Sequence, residues 1–260
     1  MKNLLMILML LLTRIGHIDS PVSLLSYPKK DSQVRVFKYP ASFTNIHFVE
    51  KNGRYLMIDA GLPGDQENIL KFLEDQKIPV DQIEYLILTH SHPDHAGNAA
   101  YFQQNFGTLI IAGYGDLEII ENGGFDQYLC PRGILGFLVG KTIASKRFSP
   151  FKPDLLVNDS LDLSEIGWEG SVQTFTSHTK GSLVVFIDQY VFPGDLIKGE
   201  NLNKQKPAFH IFMCDLAKNM NDLEAVAACN DAYTWFPGHG GPLQEKDIIE
   251  LIHKKRKRDD

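Results

Sequence analysis

Apolar and polar residues alternate in short blocks near the start of the chain, and this pattern predicts β-strands. Three blocks rich in β-branched and aromatic residues cover 33–38, 45–50 and 54–59. Asn52-Gly53 lies between the last two blocks and is a strong signal for a two-residue hairpin turn. We therefore expect the folded part to begin with a small antiparallel sheet.

The apolar residues then recur at helical spacing before the strand pattern returns. Ile69, Phe72 and Leu73 recur at helical intervals and predict a helix that ends near Gln76. An apolar run over 83–88 predicts a strand. The other predicted elements are a short helix at 97–102, strands at 109–112, 172–175, 183–187, 190–192 and 234–236, and helices at 219–231 and 245–253.

The predicted strands fall into two sets, each followed by helices. This order favours two sheets packed face to face with helices on the outer sides, an α+β sandwich with αββα layers. No glycine-rich dinucleotide-binding fingerprint is present. Residues 113–151, called the insertion below, mix glycines with aromatic residues and predict an irregular or partly helical segment. It is either a wall of a substrate site or a plain packing segment.

The composition is that of an ordinary globular protein. The 260 residues are 43% hydrophobic, and the net charge is −6, which argues against a nucleic-acid partner. The length allows one large domain or two small ones. Cys130, Cys214 and Cys229 are scattered and odd in number, so we expect buried free thiols. A single disulfide is the alternative if the protein is exported.

The two ends of the chain carry distinct signals. Lys2 precedes an apolar run at 4–12, which is shorter than the roughly 20 residues of a membrane span and fits a secretory signal. Residues 1–20 are expected to be an export leader, with a buried or interfacial helix as the alternative; without export the protein would be cytoplasmic. Residues 30–253 form the predicted domain. The basic tail 254–260 is expected to be a frayed, solvated end, with nucleic-acid or anionic-lipid binding as the lesser alternative.

The segment 90–95, called the ligand string below, has the form H-x-H-x-D-H. It follows the strand predicted at 83–88, and its His90, His92, Asp94 and His95 concentrate imidazoles and a carboxylate. Packing does not account for so many metal-ligand side chains at the end of a buried strand. Histidine and aspartate suit zinc and similar divalent ions.

Four further candidate ligands each follow the end of a predicted strand: Asp59, His178, Asp195 and His239. Loops at the rim of rigid strands are a common place for a preorganised site. Within the ligand string, His90 and His92 can share one ion, and Asp94 and His95 can reach a second. One carboxylate can bridge two ions about 3.5–4 Å apart, and Asp195 is the candidate for that position.

These segments resemble the metallo-β-lactamase-fold hydrolases. The matching elements span about 33–245 and are 57–61, 89–98, the segment around His178, 192–195 and 237–240. The resemblance implies a site at one edge of the two sheets. It implies ligand sets of His90, His92 and His178 for a first metal and Asp94, His95 and His239 for a second, with Asp195 bridging. Asp59 would orient a ligand from behind.

Departures from the family pattern narrow the choice among the subfamilies that this chain could resemble. Asp195 stands where β-lactamases of this fold usually lack a bridging aspartate, and His92 stands where flavin-linked diiron oxygen reducers have glutamate. The chain ends soon after His239, so the helical domain of glyoxalase II is not expected. The short stretch between His178 and His239 leaves no room for the large insertion of nucleic-acid-cleaving members. The ligand set is most similar to that of single-domain lactonases.

Two other residues carry weaker signals. Lys198 stands where lactonases often place a tyrosine, three residues after the bridging aspartate. It either polarises a carbonyl or binds an acidic substrate, and a surface lysine is the alternative. His210 lies between Phe209 and Phe212 and is interpreted as structural, with a substrate contact as the alternative.

Together these features predict a dinuclear hydrolase for a small-molecule ester, lactone or thioester, with no stable membrane span. Two divalent ions, zinc first and iron or manganese as alternatives, would hold a bridging hydroxide. Asp94, or water that it orients, would pass a proton to the leaving group. The alternatives are a β-lactamase, an iron-dependent sulfur or oxygen enzyme of the same fold, and a metal-stabilised binding protein. The last is disfavoured because structural zinc sites are normally closed by four protein ligands.

Overall fold

Two six-stranded sheets form the centre of the protein in a computed structural model, which describes residues 33–42, 44–133, 136–137, 146–229 and 234–259. The export leader predicted at 1–20 lies outside these residues. In spatial order, the first sheet contains β1 (Arg35–Ala41), β2 (Thr44–Lys51), β3 (Arg54–Ile58), β4 (Ile83–Ile87), β5 (Leu109–Gly113) and β6 (Leu155–Val157). The chain then forms β7 (Ser160–Asp162), β8 (Ser171–Thr174), β9 (Leu183–Ile187), β10 (Tyr190–Phe192), β11 (Lys198–Gly199), β12 (Pro207–Ala208), β13 (Thr234–Trp235) and β14 (Leu243–Gln244).

The second sheet has the order β14-β13-β10-β9-β8-β7, and β11 and β12 form a separate small sheet. The helices are α1 (Gln66–Asp75), α2 (Pro93–Ala96), α3 (Ala99–Phe106), α4 (Leu117–Glu121), α5 (Leu216–Ala228) and α6 (Glu245–Asp259). Among the described helices, none has the length and apolarity that a membrane crossing requires.

Successive residues of the central strands point into different cores. In β4, Leu86 packs under α1 and α3, while Ile87 faces the second sheet. In β9, Val185 lies between the sheets, whereas Val184 and Phe186 pack under α5 and α6. Because most side chains on both faces of these strands are buried, the strands appear in the sequence as apolar runs, with Glu84 of β4 as the exception. The layers confirm the predicted αββα sandwich.

Strand direction brings the candidate site to one edge. β3, β4 and β5 are mutually parallel, so their carboxyl ends lie at the same edge of the first sheet. β10 and β13 are likewise parallel in the second sheet. At this edge the amide of Leu183 donates to the carbonyl of Thr89 (2.7 Å) and joins the two sheets. The loops that carry the predicted ligands therefore meet.

The hairpin at Asn52-Gly53 is confirmed, and both residues have the positive φ that such a turn requires. The prediction of a frayed tail was wrong, because α6 continues from Glu245 to Asp259. Arg256 in that helix hydrogen bonds to Glu224 of α5 at 2.8 Å. This contact holds the basic end against the domain.

The expectation of buried free thiols was also wrong. Cys130 and Cys214 form a disulfide across a sequence separation of 84, and Cys229 is free but exposed. A hydrogen bond from the amide of Arg132 to the carbonyl of Ile211 (2.7 Å) pairs the two segments that carry the bonded cysteines. The pairing brings their Cα atoms within 5.0 Å. Spacing in the sequence does not reveal a contact between such distant segments.

Candidate metal centre

The seven predicted metal ligands converge at this edge, and His210 joins them. Each predicted ligand lies in a loop or short helical turn that follows a strand. The groups whose ligand atoms all lie within 4.8 Å of one another are His90, His92 and His178; Asp94, His95 and His239; His90, His95 and Asp195; and His178, Asp195 and His210. The first two groups have the same members as the two predicted ligand sets. Asp195 belongs to both of the others.

Asp195 lies at the centre of this cluster. Its Oδ2 is surrounded by the Nε2 atoms of His210 at 3.2 Å, His239 at 3.2 Å, His178 at 3.8 Å and His90 at 3.9 Å. Its Oδ1 lies 3.5 Å from His95 Nε2. Burial opposes the charge of Asp195, but His239, His210 and His95 outweigh it and hold its pKa well below the usual value. The carboxylate is therefore ionised and available to cations.

Hydrogen bonds at the far side of the rings determine which nitrogens face the cluster. His178 Nδ1 must donate to the carbonyl of Phe212 (2.9 Å), because a carbonyl only accepts. His95 Nδ1 lies 2.8 Å from the carboxylate of Asp59. In the neutral rings the Nε2 lone pairs of His178 and His95 consequently point inwards, which is the usual arrangement of metal-ligating histidines.

Asp126, which the sequence did not single out, orients His92 in the same way. Its Oδ2 lies 3.0 Å from His92 Nε2, so Nδ1 is the nitrogen left for a ligand. Burial opposes ionisation of Asp126, but the hydrogen bond and the charge of His92, together with the amide of Tyr128, outweigh burial and lower the pKa of Asp126. His92 Nδ1 then lies only 3.2 Å from His178 Nε2, with two lone pairs facing each other.

These atoms fit a metal centre. His90 Nε2, His95 Nε2 and Asp195 Oδ1 are buried, and within the described part of the chain none has a hydrogen-bond partner. Unpaired buried polar atoms and converging lone pairs are unfavourable unless a cation satisfies them. Burial opposes a proton on His95, yet Asp195, Asp59 and Asp94 outweigh burial and hold its pKa well above the usual value. The centre favours positive charge.

Asp59 supports the ligand string from behind. It is 1% exposed and accepts hydrogen bonds from the amide (2.8 Å) and hydroxyl (2.8 Å) of Thr89 as well as from His95. Its φ of 62° lies in the left-handed region that aspartate tolerates better than most residues. The backbone turns here directly after β3, which places the carboxylate under the string.

Asp116 clamps the ligand string to the His178 loop and was also missed. It is fully buried and accepts from the amides of Ser91 and Gly181, each at 2.8 Å, and from Thr179 Oγ1 at 3.0 Å. Burial raises the pKa of Asp116, although the hydrogen bond from Thr179 and those from the two amides act against it. The available sequence signal was an aspartate three residues past the end of β5, much as Asp59 directly follows β3.

Two glycines permit the close packing of the loops. A Cβ atom at Gly238 would lie 2.5 Å from His95 Cε1 and 2.6 Å from Asp195 Oδ1. At Gly194 it would lie 2.6 Å from Thr89 Oγ1, and the φ of +54° is itself unfavourable for other residues. Larger residues there would push the ligands apart.

Lys198 lies beside the centre but is bound locally. Its Nζ donates to the carbonyl of Gly199 (3.1 Å) and to Asn201 Oδ1 (3.0 Å). Burial lowers the pKa of Lys198, against the opposing charge of Asp195. A role in substrate binding stays a prediction.

Comparisons with known proteins agree with this geometry. The family model described as the metallo-beta-lactamase superfamily matches residues 39–239. Hydroxyacylglutathione hydrolases of Klebsiella pneumoniae and Shewanella loihica are 23% and 25% identical to the chain, over 71% and 75% of its length. The chain spans only 60% and 59% of the lengths of these relatives.

Two solved structures share the fold. A metallo-beta-lactamase family protein from Thermus thermophilus has a TM-score of 0.60 at 17% identity, covering 87% of this chain and 80% of that one. A metallo-beta-lactamase from Cronobacter sakazakii has a TM-score of 0.60 at 16% identity, covering 88% and 93%. Since the family model spans most of the folded domain and the layers agree, this chain belongs to the metallo-β-lactamase superfamily.

Proposed function

We propose that the protein is a dinuclear metal-dependent hydrolase that cleaves an ester, lactone or thioester. The observation that carries the proposal is that Asp195 lies between two three-residue groups of candidate ligands, close to His90 and His178 of one and to His95 and His239 of the other. The relatives named hydroxyacylglutathione hydrolases support an acyl thioester within this substrate class. Zinc is the proposed metal because the donors are imidazole and carboxylate.

The chain's own residues would divide the work. His90, His92 and His178 would hold one ion, and Asp94, His95 and His239 the other. Bound divalent ions would supply Lewis acidity and make a hydroxide nucleophile available near neutral pH. Asp94 Oδ2 accepts a hydrogen bond from Thr44 Oγ1 (3.2 Å) and lies 3.5 Å from His239 Nε2. From there its carboxylate, or water that it orients, would take the proton of the attacking hydroxide and pass it to the leaving group.

The test combines metal analysis with a substrate panel. Wild type and a variant with both His90→Ala and His92→Ala are assayed on acyl lactones, acyl-glutathione thioesters, phosphodiesters and a chromogenic β-lactam. We expect two zinc ions per wild-type chain and turnover of a lactone or thioester. The variant should lose zinc and should lose turnover. His253→Ala, which changes an exposed histidine, is the control. Full activity without His90 and His92 would contradict the proposal.

We also propose that the protein is exported. Disulfides persist in oxidising compartments, and Cys130 and Cys214 form one in a chain whose residues 1–20 resemble a secretory signal. Fractionation of native cells, with sequencing of the mature N-terminus, is the measurement. A cytosolic protein that retains Met1 would contradict export.

A further inference from the structure

The backbone of Phe212 hydrogen bonds to two histidines, as acceptor to one and as donor to the other. Its carbonyl accepts a hydrogen bond from His178 Nδ1 at 2.9 Å. Its amide donates a hydrogen bond to His210 Nδ1 at 3.3 Å. Because a backbone carbonyl can only accept and a backbone amide can only donate, the two contacts determine where each neutral ring carries its proton.

The consequences for the two rings are opposite. His178 is protonated on Nδ1, and its Nε2 lone pair faces the centre as a ligand. His210 uses its Nδ1 lone pair to accept, so its proton lies on Nε2. That Nε2 atom, which carries the proton, lies 3.2 Å from Asp195 Oδ2. A nitrogen that carries a proton has no lone pair for a metal ion.

This hydrogen bonding separates His210 from the oriented ligands. His92, His95 and His178 each hold the outward ring nitrogen against a carboxylate or carbonyl oxygen, as metal-ligating histidines usually do. Of these four rings, His210 is the one held by an amide donor. Proximity places it among the ligands, but its hydrogen bonding gives it a different role.

His210 lies next to one member of each predicted ligand set, His178 and His239, and beside the exposed side of the centre. Its ring stacks on His239 at 5.4 Å and 17° and meets His178 edge-on at 5.2 Å and 85°. The side chain of His239 is 16% exposed, against 0% for His95 and 1% for His90. The centre therefore opens beside His239, and a molecule entering there passes His210.

We propose that His210 is a catalytic hydrogen-bond donor rather than a metal ligand, and that its neutral Nε2–H binds the carbonyl oxygen of the substrate. This inference rests on the proposed hydrolase function. In the structure Asp195 Oδ2 lies 3.2 Å from this nitrogen, and a cation bound to that oxygen would compete for it and leave the N–H for the substrate. A fixed donor aimed at an oxygen that gains negative charge favours the transition state over the ground state. His210 keeps its proton throughout.

The experiment separates a donor from a ligand. His210→Leu removes the donor, His210→Gln keeps an amide N–H near the position of Nε2, and His178→Leu is the matched ligand variant. We expect His210→Leu to retain the wild-type zinc content and to lower kcat by about 100-fold with little change in KM. His210→Gln should recover part of that loss. His178→Leu should lose zinc.

A readout independent of turnover is the tautomer of His210 in zinc-loaded protein labelled with 15N-histidine. Long-range proton–nitrogen correlation should show Nε2–H for His210 and metal coordination for His178. Zinc loss in His210→Leu equal to that in His178→Leu, or a proton on Nδ1 of His210, would overturn the inference. If wild type turned over none of the panel, the hydrolase function would fail, and these two readouts would still decide separately whether His210 is a donor.

Discussion

The two sides of the metal centre are built in different ways. The string side, formed by residues 90–95 with Asp59 behind them, comes from two adjacent parallel strands and one short stretch of chain. The insertion side, formed by residues 126–132 and 209–214, joins segments that are far apart in sequence through backbone pairing and a disulfide. The string side carries predicted ligands, whereas the insertion side mainly orients them.

The two sides therefore contribute different kinds of residue: predicted metal ligands on one side and residues that orient those ligands on the other. Asp126 and Phe212 of the insertion side bind no metal in our proposal, yet they orient the rings of His92 and His178. Phe212 also orients His210. The insertion is therefore more than a packing segment, since part of it contacts a ligand directly. Substitutions on each side test how far the two sides depend on each other.

The largest effect is expected for Asp116→Ala, because Asp116 joins the string to the His178 loop. Removing the carboxylate leaves the buried amides of Ser91 and Gly181 without an acceptor, at about 1–3 kcal/mol for each unsatisfied group. We expect the free energy of unfolding, measured by urea denaturation, to fall by about 4 kcal/mol.

The control for Asp116→Ala is Asp162→Ala. Asp162 also accepts from a backbone amide, that of Ser164 at 2.8 Å, but it is exposed. Water can replace this acceptor, so the expected loss is within about 1 kcal/mol. Equal losses in the two variants would show that the string and the His178 loop are held together without the Asp116 clamp.

The second effect concerns the insertion side alone. Replacing both Cys130 and Cys214 by serine releases a loop closed across a sequence separation of 84, and we expect a loss of about 3 kcal/mol in unfolding free energy under non-reducing conditions. Cys229→Ser removes the exposed free thiol and should change nothing. A double variant as stable as Cys229→Ser would mean that backbone pairing suffices to hold this side.

The smallest effects are expected on zinc affinity, when one orienting carboxylate on each side is replaced. Asp59→Asn should weaken zinc binding by about 100-fold and Asp126→Asn by about 10-fold. Asp59 is almost fully buried and also binds Thr89, whereas Asp126 is less deeply buried and binds His92 and the amide of Tyr128. Competition with a chromophoric zinc chelator measures both affinities.

Glu118→Gln is the control for the orienting carboxylates. The Glu118 carboxylate accepts a hydrogen bond from the exposed side chain of Gln127 and from no histidine among the described residues. It should leave zinc affinity unchanged. A larger loss for Asp126→Asn than for Asp59→Asn would reverse the expected order and make the insertion side the stronger support.

Much of the fold could be predicted because its signals are local. The apolar runs of β4 and β9 predicted strands, and Asn52-Gly53 predicted the hairpin that the structure contains. The short strands β6 and β7 were missed, since three-residue strands with mostly exposed side chains carry no such pattern. Helix α5 begins at Leu216, three residues before the predicted start, because Asp215 caps it through the amide of Lys218.

The sequence by itself determined the kind of site. The predicted ligand residues follow strand ends, and the ends of parallel strands lie at one edge of a sheet. Only the tertiary structure decided which partners orient those ligands, because Asp126, Asp116 and the Phe212 peptide meet the histidines through contacts distant in sequence. It also decided the role of His210. A ring nitrogen is a ligand or a donor according to the hydrogen bond at its opposite side, and that bond exists only after the chain has folded.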